Sequence, residues 1–225
     1  MKLPINQIIC GDCLEVMKDW PDGCVDLVLT DPPYGINVEN NHAIGGRYDK
    51  EKDLSVGWDN KIPSPEYFVE MNRISKEQII WGANYFNCFS GENGAIVWNK
   101  IQPLPTMSQC EIASYSRTKK VYLYEERWTN YVNTKKTDHP TEKSLKLMQW
   151  LVANFSQPND LILDPFCGSG TTCVAAKMFG RRYIGIDISS EYCEIARQRL
   201  EAVDTGVPVK EQRKGQQALF PKGNQ

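Results

Sequence analysis

The sequence predicts an α/β protein with a mostly parallel sheet, on the evidence of two strand ends. The apolar run 25–30 leads directly into Asp31-Pro32-Pro33-Tyr34, and Leu161-Ile162-Leu163 leads into a glycine-rich turn before a helix. Short apolar runs of this kind are typical of buried parallel strands. Open α/β sheets bind their ligands outside the carboxyl ends of such strands. The two turns therefore predict a substrate pocket beside a cofactor pocket.

The first half of the chain is predicted to consist of short strands and helices separated by turns. We expect strands over 5–9, 25–30, 78–81, 94–99, 111–115 and 121–124, and helices over about 13–20 and 65–73. The strands are apolar runs of strand length, and Pro21-Asp22-Gly23 is a turn signal between the first helix and the second strand.

The polar stretch 37–62 leaves directly from the Pro-Pro-Tyr turn and has no hydrophobic periodicity. Long segments without secondary structure are uncommon in compact domains, and those that occur are often functional or mobile. We interpret this stretch as a lid or target loop, because binding residues concentrate in loops held by a scaffold. The alternative is a surface insertion without a function.

The second half of the chain is predicted to contain a βαβ unit between two further helices. We expect helices over 141–155, 171–179 and 191–202 and strands over 161–163 and 183–187. Thr141 is predicted to cap the first of these helices, with Lys143 and Ser144 in its first turn. Residues 1–203 are expected to form one domain, and the polar residues 204–225 a flexible tail.

Length and composition indicate a globular domain. The chain has 225 residues, of which 41% are hydrophobic and 24% are charged, enough for a full core. No apolar run approaches the roughly 20 residues of a membrane span, and residues 1–6 do not resemble a signal peptide. We therefore expect a cytoplasmic protein that does not enter a membrane.

The eight cysteines raise the question of a metal site or of disulfides. Cys10 and Cys13 have the C-x-x-C spacing, but no second such pair supplies further ligands, and His42 and His139 lie far away in the sequence. A structural zinc site needs four ligands. We therefore expect no metal, and reduced thiols that mostly serve as small buried hydrophobes.

The net charge of −2 does not by itself indicate a nucleic-acid-binding protein, but the distribution of charge is informative. Six basic residues fall within 117–136 against two acidic ones, interleaved with four aromatic residues. Basic residues contact phosphates, and aromatic side chains stack on bases. An exposed edge hairpin whose lysines prevent aggregation is the alternative, and the neighbouring motifs favour DNA.

The motif Asp-Pro-Phe-Cys-Gly-Ser-Gly-Thr-Thr at 164–172 predicts a nucleoside-binding turn. Glycines at a strand-to-helix turn let the backbone approach a ligand closely, and the helix N-terminus offers N–H groups. Gly170 is followed by Thr171 rather than by lysine, and the third glycine of the dinucleotide fingerprint is missing. Asp187, at the end of the next strand, is placed to accept hydrogen bonds from ribose hydroxyls. A nucleoside without pyrophosphate fits these facts, and S-adenosylmethionine (AdoMet) is one.

Asp31-Pro32-Pro33-Tyr34 suits a reaction at an exocyclic amino group of a nucleobase. Such an amine is a poor nucleophile because its lone pair is delocalised into the ring. The Asp31 side chain and the Pro32 carbonyl can accept both of its hydrogens, and consecutive prolines hold the backbone rigid. Tyr34 can stack on a base that has left the helix, since a duplex hides this nitrogen from an enzyme pocket. The alternative, a rigid turn that only ends a strand, is disfavoured by the accompanying cofactor motif.

Together the two motifs resemble those of the AdoMet-dependent amino-methyltransferases that methylate adenine or cytosine in DNA. Asp-Pro-Pro-Tyr precedes Asp-Pro-Phe-x-Gly-Ser-Gly-Thr, as in the permuted β class, and the resemblance covers about residues 8–203. It implies a Rossmann-like fold with a seven-stranded, mostly parallel sheet and helices on both faces. It also implies AdoMet as cofactor, double-stranded DNA as substrate and, since family members are often dimeric, a homodimer.

The resemblance assigns further residues to the site. Gly11-Asp12-Cys13 is similar to the turn that contacts the cofactor's adenine, and 139–143 (His-Pro-Thr-Glu-Lys) to a motif near its methionine end. Residues 81–85, 95–98 and 111–115 resemble the strands that line the base pocket. Besides Asp31, Pro32, Pro33 and Tyr34, the expected site residues are Asp12, Cys13, Thr141, Lys143, Asp164, Phe166, Gly168, Ser169, Gly170, Thr171 and Asp187.

The chain is short for this family, since larger members carry an extended target-recognition region where only 116–138 is present. Recognition is therefore expected to be short, relaxed or shared across a dimer. Asp31 before Pro-Pro-Tyr favours adenine-N6 methylation by analogy with the family, in a restriction–modification or phage-type context. Cytosine-N4 methylation is the nearest alternative. Methylation of RNA or a protein amide, and a catalytically silent DNA- or clamp-binding module, are disfavoured by the order and the intactness of the motifs.

The C-terminal segment Gln216-Gln217-Ala218-Leu219-Phe220 resembles the short Gln-x-x-Leu-Phe peptides that dock onto the bacterial replication sliding clamp. An apolar pair on a flexible tail is a suitable anchor for a partner groove. A clamp contact through Gln216, Leu219 and Phe220 is one interpretation, and the alternative is a chance match, since five-residue matches arise easily.

Overall fold

The computed structural model describes residues 2–36, 61–88, 92–101, 108–127 and 143–206. In chain order its elements are β1 (Gln7–Cys10), α1 (Cys13–Met17), β2 (Val25–Thr30), α2 (Pro65–Ile74), β3 (Ser75–Trp81), α3 (Ala83–Phe86), β4 (Gly94–Ile101), β5 (Cys110–Tyr115), β6 (Val121–Arg127), α4 (Leu145–Phe155), β7 (Leu161–Asp164), α5 (Thr171–Met178), β8 (Arg182–Asp187) and α6 (Ser190–Thr205). They divide into two compact units, one formed by Met1–Trp20 with Thr137–Gln225 and the other by Pro21–Lys136.

Three parallel strands form the sheet of the first unit, in the order β1-β8-β7. Cys10 pairs with Asp187 and Asp164 pairs with Gly185, so the carboxyl ends of all three strands share one edge. β7 is buried along its whole length, as its apolar sequence predicts for a parallel strand. Helices α5 and α6 pack against this sheet.

Gly185 lets helix α5 and the turn after β7 lie close to the sheet. A Cβ at this position would come 2.6 Å from Ile8 Cδ1, 2.9 Å from Cys173 Sγ and 3.0 Å from Cys167 Sγ. A side chain would therefore force its neighbours apart, so the glycine is required for close packing.

Five strands form the sheet of the second unit, in the order β2-β3-β5-β4-β6. β2 is parallel to β3 and β4 is parallel to β6, whereas β5 runs antiparallel to both β3 and β4. The carboxyl ends of β2, β3, β4 and β6 therefore share one edge. Asp31 and Gly82 follow β2 and β3 directly at this edge.

The predicted α/β class with mostly parallel strands is confirmed, with eight strands in the described ranges. This number agrees with the eight apolar runs of the sequence rather than with the seven strands implied by the resemblance. The strand predicted over 121–124 continues to Arg127, and its residues alternate between exposed and half-buried. Such alternation is typical of a strand with one solvated face.

Three predicted helix ends are wrong. α1 ends at Met17, three residues before its predicted end at about residue 20. α4 begins at Leu145 with Ser144 at the N-cap position, so Lys143 precedes the helix instead of lying in its first turn. Serine and threonine are both preferred N-cap residues, and a local rule cannot choose between them. α6 extends to Thr205 and ends on Gly206, whose φ of 68° is typical of a helix C-terminus. Residues 204 and 205, which were expected in the tail, therefore belong to this helix.

Several predicted segments lie outside the described residues. These are 37–60 of the predicted lid, 128–138 of the predicted recognition segment and 207–225 of the tail. Within the part of the chain that the structure describes, no helix is long and apolar enough to cross a membrane.

Candidate cofactor site and acceptor loop

The turn after β7 carries the glycine motif and is fixed by hydrogen bonds of its own backbone. The Cys167 N–H donates to the Ile186 carbonyl (2.9 Å), and the Gly170 N–H donates to the Cys167 carbonyl (2.8 Å). Gly168 and Gly170 have φ values of 49° and 82°, in the left-handed region that glycine adopts without steric cost. The motif therefore forms a tight turn at the carboxyl edge of the first unit.

Helix α6 packs directly against this turn at Gly170. A Cβ on Gly170 would lie 2.7 Å from Ala196 Cβ, so only glycine allows this approach. Helix α5 begins at the next residue, Thr171. The N–H groups of its first turn have no partner within the helix, and such groups bind polar ligand atoms in many nucleotide sites.

Asp187, the last residue of β8, connects the three turns of this edge. Its Oδ2 accepts a hydrogen bond from the Gly168 N–H (2.8 Å) and its Oδ1 accepts one from the Ser189 N–H (2.9 Å). Its backbone carbonyl accepts a third from the Gly11 N–H (2.9 Å). Burial raises the pKa of the carboxyl, although the two backbone donors oppose this shift. Each carboxylate oxygen keeps a further lone pair for a ligand hydroxyl.

Asp12 and Cys13 lie in the turn after β1. The Asp12 Oδ1 accepts a hydrogen bond from the Leu14 N–H (2.9 Å) and thereby caps helix α1. Cys13 is buried, and burial raises the pKa of its thiol to about 12. Since the thiolate is the reactive form, this cysteine is inert at neutral pH. The turn thus offers the carboxylate of Asp12, rather than a thiolate, to a ligand.

Asp164 and Lys143 are buried charged residues of the same unit. Asp164 is 4% exposed, and its Oδ1 accepts a hydrogen bond from the Phe166 N–H (3.2 Å). Lys143 is 7% exposed and lies just before α4. Charged side chains are rarely buried so deeply unless they are paired or serve a ligand. Thr141, the other residue expected near the methionine end of the cofactor, lies outside the described residues.

Arg199, on α6, supports the glycine turn and was not among the residues expected from the sequence. Its Nη1 donates to the Ser169 carbonyl (2.9 Å), to the Ser169 Oγ (2.6 Å) and to the Thr171 Oγ1 (3.1 Å). Arg199 lies three residues after Ala196, on a helix whose buried residues also include Cys193 and Leu200. Because residues three apart share a helix face, an arginine beside a buried stripe is the signal that indicates an inward contact.

The loop after β2, which we call the acceptor loop, consists of residues 31–34 and belongs to the second unit. The hydroxyl of Tyr34 donates a hydrogen bond to the Asp31 carboxylate. Pro32 is buried, and Asp31, Pro33 and Tyr34 are partly exposed. The loop therefore presents a carboxylate and a phenol ring beside each other at the carboxyl edge of β2.

The ring of Tyr34 is packed among aromatic residues and a glycine that follow β3. It stacks on Tyr85 with a centroid distance of 4.8 Å and an interplanar angle of 14°, and it contacts Phe86 at 5.8 Å. A Cβ on Gly82 would come 2.2 Å from Tyr34 Cε1. Within residues 81–85, which the resemblance places along the base pocket, Gly82 and Tyr85 thus contact Tyr34 directly.

Gly35, just after this loop, lies close to Ile62. A Cβ on Gly35 would lie 3.0 Å from the Ile62 backbone nitrogen, so the described residues on either side of the segment 37–60 are in contact. The lid interpretation of this segment stays a prediction.

The basic stretch is divided between the two edges of the second unit. Arg117 and Lys119 lie in the β5–β6 turn and form ion pairs with Glu77 (2.8 Å) and Glu92 (2.9 Å). Because β5 runs antiparallel to β3 and β4, this turn lies at the edge opposite to that of Asp31. The DNA-contact interpretation of the stretch stays a prediction.

The first unit brings together Asp12, Gly168 and Asp187 in a cradle that suits a nucleoside. Its donors are backbone N–H groups, and its acceptors are buried or half-buried carboxylates. No lysine follows the glycine turn to neutralise a triphosphate. Among the described residues, no group of three or more His, Cys, Asp or Glu side chains forms a metal site. This donor set fits the adenosine of AdoMet.

Comparison with known proteins agrees with these features. Residues 57–198 match the family model described as DNA methylase. The chain belongs to this DNA methylase family. It is 30% identical to the Type II methyltransferase M2.DpnII of Streptococcus pneumoniae, over 87% of this chain and 89% of that protein. It is 26% identical to the Type II methyltransferase M.HinfI of Haemophilus influenzae, over 88% of this chain and 69% of that protein.

This DNA methylase is also similar to a relative whose structure was solved with its cofactor bound. The crystal structure of the M1.HpyAVI–SAM complex is 26% identical and superposes with a TM-score of 0.61, over 86% of this chain and 98% of that chain. The predicted enzyme class and the predicted AdoMet cofactor are confirmed by the family and these relatives. The chain is an AdoMet-dependent DNA methyltransferase.

Replacing Arg199 in this DNA methylase is expected to weaken AdoMet binding. Arg199→Ala removes the donor that holds Ser169 and Thr171, so we expect the Kd for AdoMet, measured by titration calorimetry, to rise about tenfold. Arg199→Lys keeps a positive charge and should recover part of the affinity. Glu201→Gln, on the exposed face of the same helix, is the control. A lower melting temperature with an unchanged Kd would show that Arg199 serves packing alone.

Asp187 is expected to make the protein both less stable and more able to bind AdoMet at neutral pH. Because burial raises its pKa above that of the unfolded chain, the native state binds the proton more tightly than the unfolded state. Stability therefore falls as the pH rises through the interval between the two pKa values. The carboxylate that is expected to accept ribose hydroxyls is present only above that interval.

Asp187→Asn tests both consequences. We expect it to bind AdoMet at least about tenfold more weakly at neutral pH. The free energy of unfolding of this variant, relative to the unmodified protein, should increase as the pH is raised from about 4 to 7. Urea unfolding across this range measures the difference, and a difference that does not change with pH contradicts the assignment.

Proposed function

We propose that this DNA methyltransferase transfers the methyl group of AdoMet to the N6 amino group of an adenine that has been extruded from double-stranded DNA at a specific sequence. The observation that carries the proposal is the Asp31-Pro32-Pro33-Tyr34 turn, which places a carboxylate and a phenol ring together at the carboxyl edge of β2. The base preference rests on the aspartate that precedes Pro-Pro-Tyr, by analogy with the family.

Asp31 and Pro32 are proposed to prepare the amino group for attack. Its lone pair is delocalised into the adenine ring, so the nitrogen must become more tetrahedral before it is a nucleophile. Two acceptors, the Asp31 carboxylate and the Pro32 carbonyl, bind its two hydrogens and direct the lone pair away from the ring plane. Fixed acceptors of this kind stabilise charge that develops in the transition state without reorganisation.

Tyr34 is proposed to hold the base by stacking. A base inside a duplex cannot bring its amino group to an enzyme pocket, so the nucleotide must rotate out of the helix. Stacking on an aromatic ring contributes about 1–3 kcal/mol and offsets part of the lost base stacking. Pro33 holds the turn rigid, so that the ring plane and the acceptors keep a fixed relation.

The cofactor residues are proposed to bind and orient AdoMet. Bound AdoMet supplies an electrophilic methyl on a sulfonium, and methyl transfer returns the bonding electron pair to sulfur as a neutral thioether. Asp187 would accept hydrogen bonds from the ribose hydroxyls, and Asp12 would accept one from the adenine amino group. The backbone of the glycine turn would line the cofactor site through Gly168, Ser169, Gly170 and Thr171. Asp164, Phe166, Lys143 and Thr141 are assigned to the methionine end, and Cys13 to the wall of the adenine site.

Proton transfer completes the reaction. The methylated nitrogen carries one proton too many, and the Asp31 carboxylate or water accepts it late in the reaction. No covalent intermediate is required. The thiols of Cys167 and Cys173 are buried, and burial raises their pKa values well above the usual range, so neither offers a nucleophile.

Asp31→Ala is expected to lower the rate of methyl transfer about 100-fold or more while leaving the affinity for AdoMet unchanged. Asp31→Asn keeps an accepting amide oxygen and should retain more activity than Asp31→Ala. The measurement is mass spectrometry of nucleosides from unmethylated genomic DNA after incubation with protein and AdoMet. N6-methyladenine is the expected product.

Each other outcome of this experiment supports a different function. If the product is N4-methylcytosine, the proposed mechanism still holds but the target base is cytosine, because the same acceptors bind the amino group of cytosine. AdoMet binding without either product would count against adenine-N6 methylation of DNA by this chain alone and point to RNA or to a missing partner. No binding of AdoMet would indicate a catalytically silent module. Sequencing of the methylated DNA gives the recognition sequence.

The proposed setting is the bacterial cytoplasm, in a restriction–modification or phage-type context. A clamp contact through Gln216, Leu219 and Phe220 is proposed from the sequence, and these residues lie outside the described ranges. Pull-down with a bacterial sliding clamp should succeed with the intact chain and fail with Leu219→Ala plus Phe220→Ala. Absence of binding by the intact chain would dispose of this contact. The homodimer is a proposal of the same kind, which sedimentation velocity of the purified protein would test.

A further inference from the structure

The ring that is proposed to stack on the target base already has a stacking partner in the protein. Tyr34 and Tyr85 lie nearly parallel, with an interplanar angle of 14° and a centroid distance of 4.8 Å. Bases in DNA stack about 3.4 Å apart, so a base inserted between the two rings needs them to separate to roughly 7 Å. Whichever way a base reaches this face of Tyr34, Tyr85 has to move.

The carboxylate that is proposed to accept the amino hydrogens is also engaged. The Tyr34 hydroxyl donates to the Asp31 carboxylate, within the same loop. A base that arrives with its amino group therefore competes with one hydrogen bond and one aromatic stack. Both competitors are side-chain interactions, which can be broken by rotation without a change in the backbone.

The surroundings of Tyr85 allow it to move. Tyr85 is 42% exposed, and it lies on the four-residue helix α3. The residues at both ends of this helix, Gly82 and Asn87, have left-handed φ values of 71° and 55°. A single turn of helix between two such residues has few hydrogen bonds to lose, so local rearrangement is cheap compared with movement of a strand.

We propose that Tyr85 is a specificity-determining residue that covers the stacking face of Tyr34 and is exchanged for the target base. The inference rests on the proposed function, since it assumes that an extruded base stacks on Tyr34. Base entry then replaces the Tyr34–Tyr85 stack by a Tyr34–base stack, and the Tyr34–Asp31 hydrogen bond by an amino–Asp31 hydrogen bond. Base entry breaks the Tyr34–Tyr85 stack and the Tyr34–Asp31 hydrogen bond, and these losses offset the new stack and the new hydrogen bond to Asp31. The net gain is then little more than the hydrogen bond to the Pro32 carbonyl, so a stray base is bound only weakly. The sequence-specific interactions of the correct site therefore decide capture.

The exchange predicts an unusual effect of truncation. Removing the cover in Tyr85→Ala lowers the cost of base entry, so we expect the KM for DNA to fall about two- to tenfold, with a smaller change in kcat. Methylation at sequences other than the recognition site should increase. Tyr85→Phe keeps the stacked ring and should discriminate between sites better than Tyr85→Ala. A residue that only stabilises the pocket would change neither KM nor discrimination in this direction.

The experiment uses the full chain, AdoMet and duplex oligonucleotides that contain the sequence mapped by methylation of genomic DNA. KM, kcat and the fraction of off-site methylation are compared for the unmodified protein, Tyr85→Ala, Tyr85→Leu, Tyr85→Phe and Val69→Ala. Val69 is 67% exposed on helix α2 and serves as the surface control. Calorimetric binding of AdoMet checks that each variant is folded, and Tyr85→Leu replaces Tyr85→Ala if the latter is not.

A lower KM with more off-site methylation in Tyr85→Ala or Tyr85→Leu supports the exchange. A higher KM would overturn it and identify Tyr85 as a permanent wall of the base site. Values equal to those of Val69→Ala would overturn it and leave Tyr85 as a surface residue. All three results require an active unmodified protein, and they apply whether the product is N6-methyladenine or N4-methylcytosine. An unmodified protein that methylates neither base would overturn the proposed function and the exchange with it.

Discussion

The carboxylate of Asp187 is the constraint on which the first unit depends. Its two oxygens accept hydrogen bonds from Gly168 and Ser189, and the carbonyl of the same residue accepts one from Gly11. The turns after β1, β7 and β8 are thereby held to one strand end. Burial raises the pKa of this carboxyl, so the ionised group opposes folding at neutral pH. A charge retained at a ligand-binding edge despite this cost is typical of a residue kept for binding.

The secondary structure could be predicted where the information is local. The strand 25–30 is correct at both ends, because its apolar run lies between a glycine turn and the Pro-Pro sequence. The start of α4 is wrong because Thr141 and Ser144 are equivalent caps to any local rule. Packing of the helix decides where its first turn forms, and the buried residues begin at Leu147.

The residues of the candidate site likewise differ in how far the local sequence predicts them. Asp31, Gly168 and Asp187 belong to motifs whose residue types indicate their chemistry. The resemblance also places residues 81–85 at the base pocket, whereas Arg199 lies in no such motif. Thirty positions separate Arg199 from Ser169, and the two residues meet only because α6 packs on the glycine turn. A buried stripe on α6 predicts an inward-facing arginine, but its partner depends on the tertiary fold.

The two carboxylates assigned to the reaction are held by donors of different kinds, and this difference matches their roles. Asp187 is bound by backbone N–H groups that cannot turn away without unfolding a turn, so its oxygens are fixed before the cofactor arrives. Asp31 is bound by the hydroxyl of Tyr34, which can rotate and yield its place. A cofactor that binds in every catalytic cycle gains from a rigid acceptor. The target base, in contrast, must be selected among many bases. An acceptor that is already hydrogen-bonded to Tyr34 favours this selection, because only binding at the correct DNA sequence supplies the free energy to displace the Tyr34 hydroxyl.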